Sequence, residues 1–577
     1  MQRTAGQGHD HRVAISEPNL PEFWLSPSVS PEISDFAAFL ATKLRSFAKH
    51  QQGVEQQGGF RSCLSANGEF LMTPSLIAFL SALVCSVILA PIVGLVARRF
   101  GVVDRPDGQR KLHSRAVPLT GGPTILLSLF AGLAATLWFY PTLLEQSYGD
   151  IQFLLPLSLA GSWIVVLGIL DDKIGLRGRQ KLFGQMIAAM IMIPSGIAIR
   201  QIQVFGIPIE FGDFSSIVTV FWILGAINAL NLIDGVDGLA STIGIVLSLS
   251  VAAVTVVYGG RVDGLIISLA LAGSLVGFLF FNFPPARMFL GDSGSMLIGL
   301  VVGCIALKCS IKQYTAMALV MPTAIWAIPI FDVSMAIVRR RLTGRSIYAT
   351  DRGHLHHCLV RQGHSGKGLL LTVGSLCGLT GMGAVAGAWF GNEMIAVLGV
   401  ATALAILVAT RSFGAAEMTL LTNRVRRFAG SLLRKQPGGK PVLHDEQVQL
   451  HGKQEWHELW HTLTEFADRF EMDAVELLVN IPSVGEEYHA SWRSKSKVEL
   501  HDAWRSEIPL IIDGMRVGHI KVVGVCGNGS ICEWMSDLIG GLRPFETHLI
   551  ELIGEMHGKT IPVEVPSLSE SGSLQLS

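Results

Sequence analysis

The sequence predicts an all-α polytopic membrane bundle of about eleven transmembrane helices, followed by a small C-terminal cytoplasmic α+β domain. Two observations carry this prediction. Half of the 577 residues are hydrophobic and the mean hydropathy is +0.46, which is too apolar for an ordinary soluble protein. From residue 72 onward, apolar stretches of about 17–25 residues follow one another, the length a helix needs to cross a hydrocarbon core. The eight cysteines are scattered without a C-x-x-C pair, so neither a disulfide framework nor a zinc site is expected. A formal net charge of zero gives no reason to expect a nucleic-acid partner.

Residues 1–71 form a polar tail with a glutamine-rich patch and no apolar core of a cleavable signal peptide. Met72 directly precedes the first long apolar run, so the expectation is that translation starts there and the tail is a mis-assigned start. Expected spans are 72–97, 118–140, 153–170, 182–200, 217–233, 239–257, 264–283, 294–309, 314–338, 368–388 and 393–410, all within a membrane domain of residues 72–410. One set of alternate loops (98–117, 171–181, 284–292 and 339–367) holds about 18 Lys and Arg against roughly four in the other set. The first set is therefore expected to be cytoplasmic, with the N-terminus outside and the C-terminus inside.

A basic juxtamembrane linker, 411–444, contains Arg424, Arg426, Arg427, Arg434 and Lys435. Residues 445–555 read as an α+β domain with a helix near 453–471, strands near 474–481, 487–493, 507–513 and 516–524, and a closing helix near 530–554. Asp513-Gly514 between two apolar strands signals a hairpin. The layout is similar to small sensory domains of the GAF or PAS kind, and a regulator is the expected partner of this domain. Residues 556–577 are Ser- and Pro-rich and expected to be disordered.

Five polar clusters fall on the loops expected to be cytoplasmic. Asn228 to Ala240 (NALNLIDGVDGLA) carries Asn228, Asn231, Asp234 and Asp237, with glycines that allow close backbone approach. A plain turn is the bland alternative. Asp104 to Pro123 carries Lys111, His113, Arg115 and Gly121-Gly122, which suit a phosphate, although positive-inside topology alone accounts for the basic residues. Asp171 and Asp172 end one span, with Lys173, Lys181 and Gln185 after them; adjacent carboxylates ask for a cation, a shared proton or nearby bases. Asp292 stands between glycines at the mouth of a span. It suits a hard divalent cation that takes one or two carboxylates, and also suits an ordinary helix cap. Pro329 to Ser365 carries Asp332 inside a span, Arg339 to Arg341, and His354, His356 and His357. An intramembrane Asp is a functional suspect by default, and imidazoles beside arginines suit phosphate oxygens better than zinc.

These residues resemble the polyprenyl-phosphate N-acetylhexosamine-1-phosphate transferases over about residues 75–410: LGILDD, NALNLIDGVDGLA, PPARMFLGDSGS and DRGHLHHCLVRQG stand in that family's order. The D-R-x-H-L-H-H form is similar to the bacterial undecaprenyl-phosphate GlcNAc-1-phosphate branch, which is related to phospho-MurNAc-pentapeptide translocase. Cys358 departs from the Arg usual in that branch, with Arg361 close by. The resemblance implies transfer of a sugar 1-phosphate from a UDP-N-acetylhexosamine to a polyprenyl phosphate lipid, with Mg²⁺ or Mn²⁺, at the cytoplasmic face of a bacterial inner membrane. It also implies roles: Asp292 on the metal; Asp171 or Asp172 on the lipid phosphate or the metal; Asn228, Asn231, Asp234 and Asp237 at the nucleotide and metal wall; Lys111, Lys181, His354, His356 and His357 on phosphate oxygens. A homodimer is a further expectation. The alternatives from other classes are a transporter with an acidic site on its cytoplasmic face, and an inactive anchor for the C-terminal domain.

Overall fold

The computed structural model describes residues 68–104, 116–143, 148–204, 207–258, 262–310, 319–342, 353–414, 418, 422, 444–451, 456–470, 472–481, 486–493, 503–512, 515–525 and 542–556. The expected tail at 1–67 and the expected disorder at 557–577 lie outside these residues, as does most of the basic linker.

The membrane part is helical. In chain order it comprises α1 (Gly68–Phe100), a ribbon of β1 (Val103–Asp104) and β2 (Val117–Pro118), α2 (Gly121–Phe139), α3 (Tyr148–Ile174), α4 (Gly178–Met192), a β3–β4 hairpin (Gln201–Val204, Ile207–Glu210), α5 (Ser215–Ile233), α6 (Leu239–Val257), α7 (Val262–Asn282), α8 (Gly291–Ser310), α9 (Val320–Ile325), α10 (Ala327–Leu342), the short α11 (Leu355–Arg361), α12 (Gly366–Trp389) and α13 (Glu393–Ala409). Eight helices among the described residues are long and apolar enough to cross a membrane: α1, α2, α3, α5, α6, α7, α8 and α12.

Three of the eleven expected spans correspond to shorter pieces. The span expected at 182–200 is the 15-residue α4, which tightens into a 3-10 turn at Ile193–Ser195 containing Pro194. The span expected at 314–338 is divided into α9 and α10 at Trp326, with 311–318 outside the described residues. Pro329 lacks the N–H that would bond the Ile325 carbonyl, and its ring crowds that carbonyl, so the helix is interrupted there. The third is α13, with 17 residues. The paired spans α5 and α6 are distinct, separated by the turn Asp234–Gly238.

At the centre lies α8, packed against α5, α3, α2 and α6. Small residues make this approach possible: a Cβ on Gly168 of α3 would stand 2.2 Å from Ser293 Cα, and one on Gly299 of α8 would stand 2.6 Å from the Ala226 carbonyl oxygen of α5. Around this core α7 packs on α6 and α2, and α12 packs on α6 and α13. At one end, Leu119 pairs with Phe289, and Phe289 N–H donates to the Pro118 carbonyl, so the β1–β2 ribbon is tied to the chain entering α8.

The C-terminal part contains β5 (His444–His451), α14 (His457–Arg469), β6 (Ala474–Ile481), β7 (Glu486–Arg493), β8 (Ala503–Ile512), β9 (Met515–Val525) and α15 (Arg543–Met556). The strands form one sheet in the order β5-β7-β6-β9-β8. Alternate side chains of β6 and β7, Val475, Leu477, Val479, Tyr488, Ala490 and Trp492, pack with Trp456, Trp460 and Leu463 of the α14 region and Phe545 and Leu549 of α15. Ile512 pairs with Met515 across the β8–β9 ladder, and the expected Asp513-Gly514 turn lies outside the described residues. The edge strand β5 was not expected: HDEQVQLH carries too few apolar side chains to signal a strand, and its pairing with β7 supplies what its own sequence lacks.

Candidate active site

Four of the five sequence clusters meet at one end of the bundle. The C-terminal turn of α3 presents Asp171 and Asp172. Gly175, with φ +66°, then reverses the chain into α4, whose first turns carry Lys181. The Lys181 ammonium lies between two carboxylates, 2.8 Å from Asp171 Oδ2 and 3.0 Å from Asp292 Oδ2. Asp171 Oδ1 also accepts the Leu176 N–H at 2.8 Å, so this side chain closes the α3–α4 turn while facing the lysine.

Asp292 occupies the first turn of α8, where the helix dipole favours a negative charge. Its backbone N–H donates to Asp172 Oδ1 at 3.0 Å, and its Oδ1 accepts the Asn231 amide at 2.6 Å. The same Asn231 amide reaches Ser295 Oγ at 3.1 Å, one turn along α8. Gly291, with φ +72°, sets the entry to the helix, and a Cβ there would fall 2.7 Å from Asp172 Oδ2. That Oδ2 is buried without a hydrogen-bond partner among the described residues. A buried carboxylate oxygen with no donor costs free energy until a donor or a cation reaches it.

Asp234 caps the end of α5. Desolvation, followed by the negative charges of Asp292, Asp172 and Asp237, holds its carboxyl well above the ordinary carboxylate range. The cluster is therefore short of positive charge. Asp237 Oδ2 accepts the Ala286 N–H at 2.9 Å, a bond that fastens the DGVDG turn to the PPAR loop before α8. Asn282 reinforces this junction, accepting from Ser241 Oγ at 2.9 Å and donating to the Met288 carbonyl at 3.0 Å. Asn228 bonds Gln185 Oε1 at 2.7 Å and the Leu224 carbonyl at 2.8 Å, so its amide nitrogen ties α5 to α4.

The histidines complete the wall. His354 stacks on His356 with centroids 6.0 Å apart, and His357 lies tilted against His356 at 4.2 Å. His356 packs on the DG turn so closely that a Cβ on Gly235 would meet its Nε2 at 2.4 Å. Burial, followed by the neighbouring His357 and His354, pushes the His356 pKa down to about 3, so this ring is neutral at physiological pH. His354 Nδ1 lies 2.9 Å from Asp332 Oδ2. Lys111, with His113 and Arg115, lies outside the described residues. Gln185 is named from the sequence beside the Asp171-Asp172 pair, whereas Asn282 and Ser295 are not; a polar side chain inside an apolar run was the available signal for Asn282.

Among the described residues, no three His, Cys, Asp or Glu side chains converge closely enough to hold a metal by themselves. The donor set fits a hard cation that takes one or two carboxylates and fills its remaining positions with water and substrate phosphate. The partnerless Asp172 oxygen beside Asp292 and Asp234 gives such an ion a place of use.

An acidic, lysine-bridged cluster ringed by histidines at the end of a membrane bundle defines a class, the membrane enzymes that handle phosphorylated substrates. Residues 154–310 match the model of glycosyl transferase family 4. The chain is 35% identical over 302 residues, 52% of its length and 80% of the relative's, to a Bacillus subtilis protein named probable undecaprenyl-phosphate N-acetylglucosaminyl 1-phosphate transferase. It is 34% identical over 341 residues, 55% of its length and 83% of the relative's, to the decaprenyl-phosphate N-acetylglucosaminephosphotransferase of Mycolicibacterium smegmatis. The phospho-N-acetylmuramoyl-pentapeptide-transferase of Desulforudis audaxviator is 33% identical over 349 residues, 54% of this chain and all of that protein. The chain belongs to the polyprenyl-phosphate sugar-1-phosphate transferases of glycosyl transferase family 4.

Proposed function

We propose that the enzyme transfers GlcNAc 1-phosphate from UDP-GlcNAc to undecaprenyl phosphate or another polyprenyl phosphate at the cytoplasmic face of a bacterial inner membrane. UMP is released, and the lipid-linked sugar begins a cell-surface polysaccharide. The observation that carries this reading is the gathering of four carboxylates: Asp171 and Asp292 share Lys181, Asp172 takes the Asp292 N–H and keeps one oxygen without a partner among the described residues, and Asp234 lies within the field of Asp292 and Asp172. The names of the relatives support the sugar and the lipid acceptor, and the excess of Lys and Arg in the loops bearing these residues supports the cytoplasmic face.

In this reading an oxygen of the lipid phosphate attacks the sugar-bearing β-phosphorus of the UDP-sugar. A new P–O bond forms to the lipid, and the bond from that phosphorus to the bridging oxygen breaks, leaving the oxygen on UMP. Asp292, with Asp172 beside it, would hold a Mg²⁺ ion, or Mn²⁺ in its place, which when bound neutralises charge on the pyrophosphate. Lys181 swings from its carboxylates to a phosphate oxygen as substrate enters, and Asn231 keeps Asp292 oriented. The neutral His356 offers a hydrogen bond without a fixed charge. His354 and His357 stand beside it for the remaining phosphate oxygens.

Purified enzyme supplied with undecaprenyl phosphate and a panel of UDP-sugars tests this directly. UMP release with UDP-GlcNAc is expected. Failure with every UDP-N-acetylhexosamine, together with solute accumulation in proteoliposomes, would establish the transporter alternative.

A further inference from the structure

Asp332 has no place in the chemistry above, yet it is completely buried within α10 and both of its oxygens are used. Oδ2 lies 2.9 Å from His354 Nδ1, and Oδ1 accepts the Leu355 N–H at 2.7 Å. The second bond satisfies one of the free N–H groups that open α11, so a carboxylate from a different helix does the work of a cap. An ionised carboxylate can only accept, so the proton of His354 must sit on Nδ1, which leaves Nε2 on the opposite ring edge. From His354 the arrangement continues by stacking to His356, and His356 packs on Gly235 between Asp234 and Asp237.

We propose that Asp332 is the positioning residue of the histidine group: it fixes the tautomer and angle of His354 and the start of α11, and through the stacked rings it sets His356 against the Asp234–Asp237 turn. This rests on the transferase reading for its effect on turnover, though not for the tautomer. Nε2 of His354 is then the edge offered to substrate, accepting when unprotonated and donating to a phosphate oxygen when protonated. In Asp332→Asn one oxygen remains to accept, but the amide N–H₂ confronts a second donor, so either the His354 tautomer or the cap of α11 is lost.

The test uses full-length protein in lipid nanodiscs. Asp332→Asn is expected to lower kcat/KM on the order of 10²-fold, as loss of an outer residue that orients a functional histidine does. In a His354→Gln background the same substitution is expected to add less than about twofold, because residues acting as one unit are non-additive. Wild-type kcat/KM in Asp332→Asn overturns the proposal, and so do fully multiplicative losses in the double variant. The tautomer is read without turnover, by ¹⁵N NMR of histidine-labelled wild-type protein with the His354 signal assigned by its loss in His354→Gln. A proton on Nδ1 is expected, and protonation on Nε2 alone overturns the proposal whether or not Asp332→Asn folds. Absence of UMP release by the wild type counts against the transferase reading only.

Discussion

α1 and α8 are both apolar helices of membrane-spanning length, yet α1 has 22% of its span buried and α8 has 83%. The order is the reverse of their hydropathy: α1 is the most apolar of the eight spans and α8 the least. Lipid tails are as apolar as leucine, so a helix facing them gains nothing from polarity and shows Leu76, Leu80, Ile88, Ile92 and Leu95 outward. A helix enclosed by other helices must approach them closely and satisfy its polar groups, which calls for the glycines and serines of GDSGSMLIGLVVG. In this bundle it is the weakly apolar span that marks the centre and carries the metal-ligand candidate Asp292.

The substitution expected to act most strongly on this contrast is Asp292→Asn at the mouth of α8. An amide keeps the shape but loses the charge that faces Lys181 and, in the proposed reaction, would hold the cation, so the proposed UMP release should fall on the order of 10³-fold, the scale for removing a principal electrostatic group. Near-normal turnover in purified protein would remove Asp292 from the metal. Next comes packing. Gly299→Leu drives a side chain into the Ala226–Ile227 backbone of α5 and should cost about 3 kcal/mol in a denaturant titration of the solubilised protein, the upper part of the range for overpacking.

Much of this centre was legible beforehand because the signals were local. Apolar runs bounded by acidic and glycine-rich turns gave the eight long helices, and the alternation of β6, β7, β8 and β9 gave most of the sheet. The gathering of Asp171, Asp172, Asn231, Asp234 and Asp292 agrees with placing their loops on one side of the bundle. What stayed hidden depends on partners distant in sequence. The bond of the Asn228 amide nitrogen to Gln185 depends on the packing of α4 on α5 and has no local signal. Asp332 is suspect as an intramembrane acid, but its partner His354 lies 22 residues further along the chain. The break at Trp326 was written in Pro329, three residues on, and masked by the apolar run around it.

His356 sharpens the contrast through pH. Its pKa falls from the ordinary 6.5 to about 3 in the folded protein. Below about pH 6.5 the unfolded chain binds a proton that the folded chain refuses, so stability is full above that pH and is lost as pH falls from there toward 3. At pH 5 the loss from this ring amounts to about 2 kcal/mol. His356→Gln should therefore flatten the decline in unfolding midpoint between pH 7 and pH 5, and an unchanged decline would mean the ring is not shielded as described.

The smallest effect is expected at the periphery. Leu95 on α1 is 70% exposed, and in a membrane that exposure is to lipid. Leu95→Ala in the bilayer exchanges one apolar contact for another and opens no interior cavity, so the transfer term that penalises truncation in a soluble core has little to act on. The expected change is within about 0.5 kcal/mol, with turnover unaltered. A loss as large as that of Gly299→Leu, measured in the same titration, would mean that this face of α1 is covered by protein, and α1 would then belong with α8 on the enclosed side of the comparison.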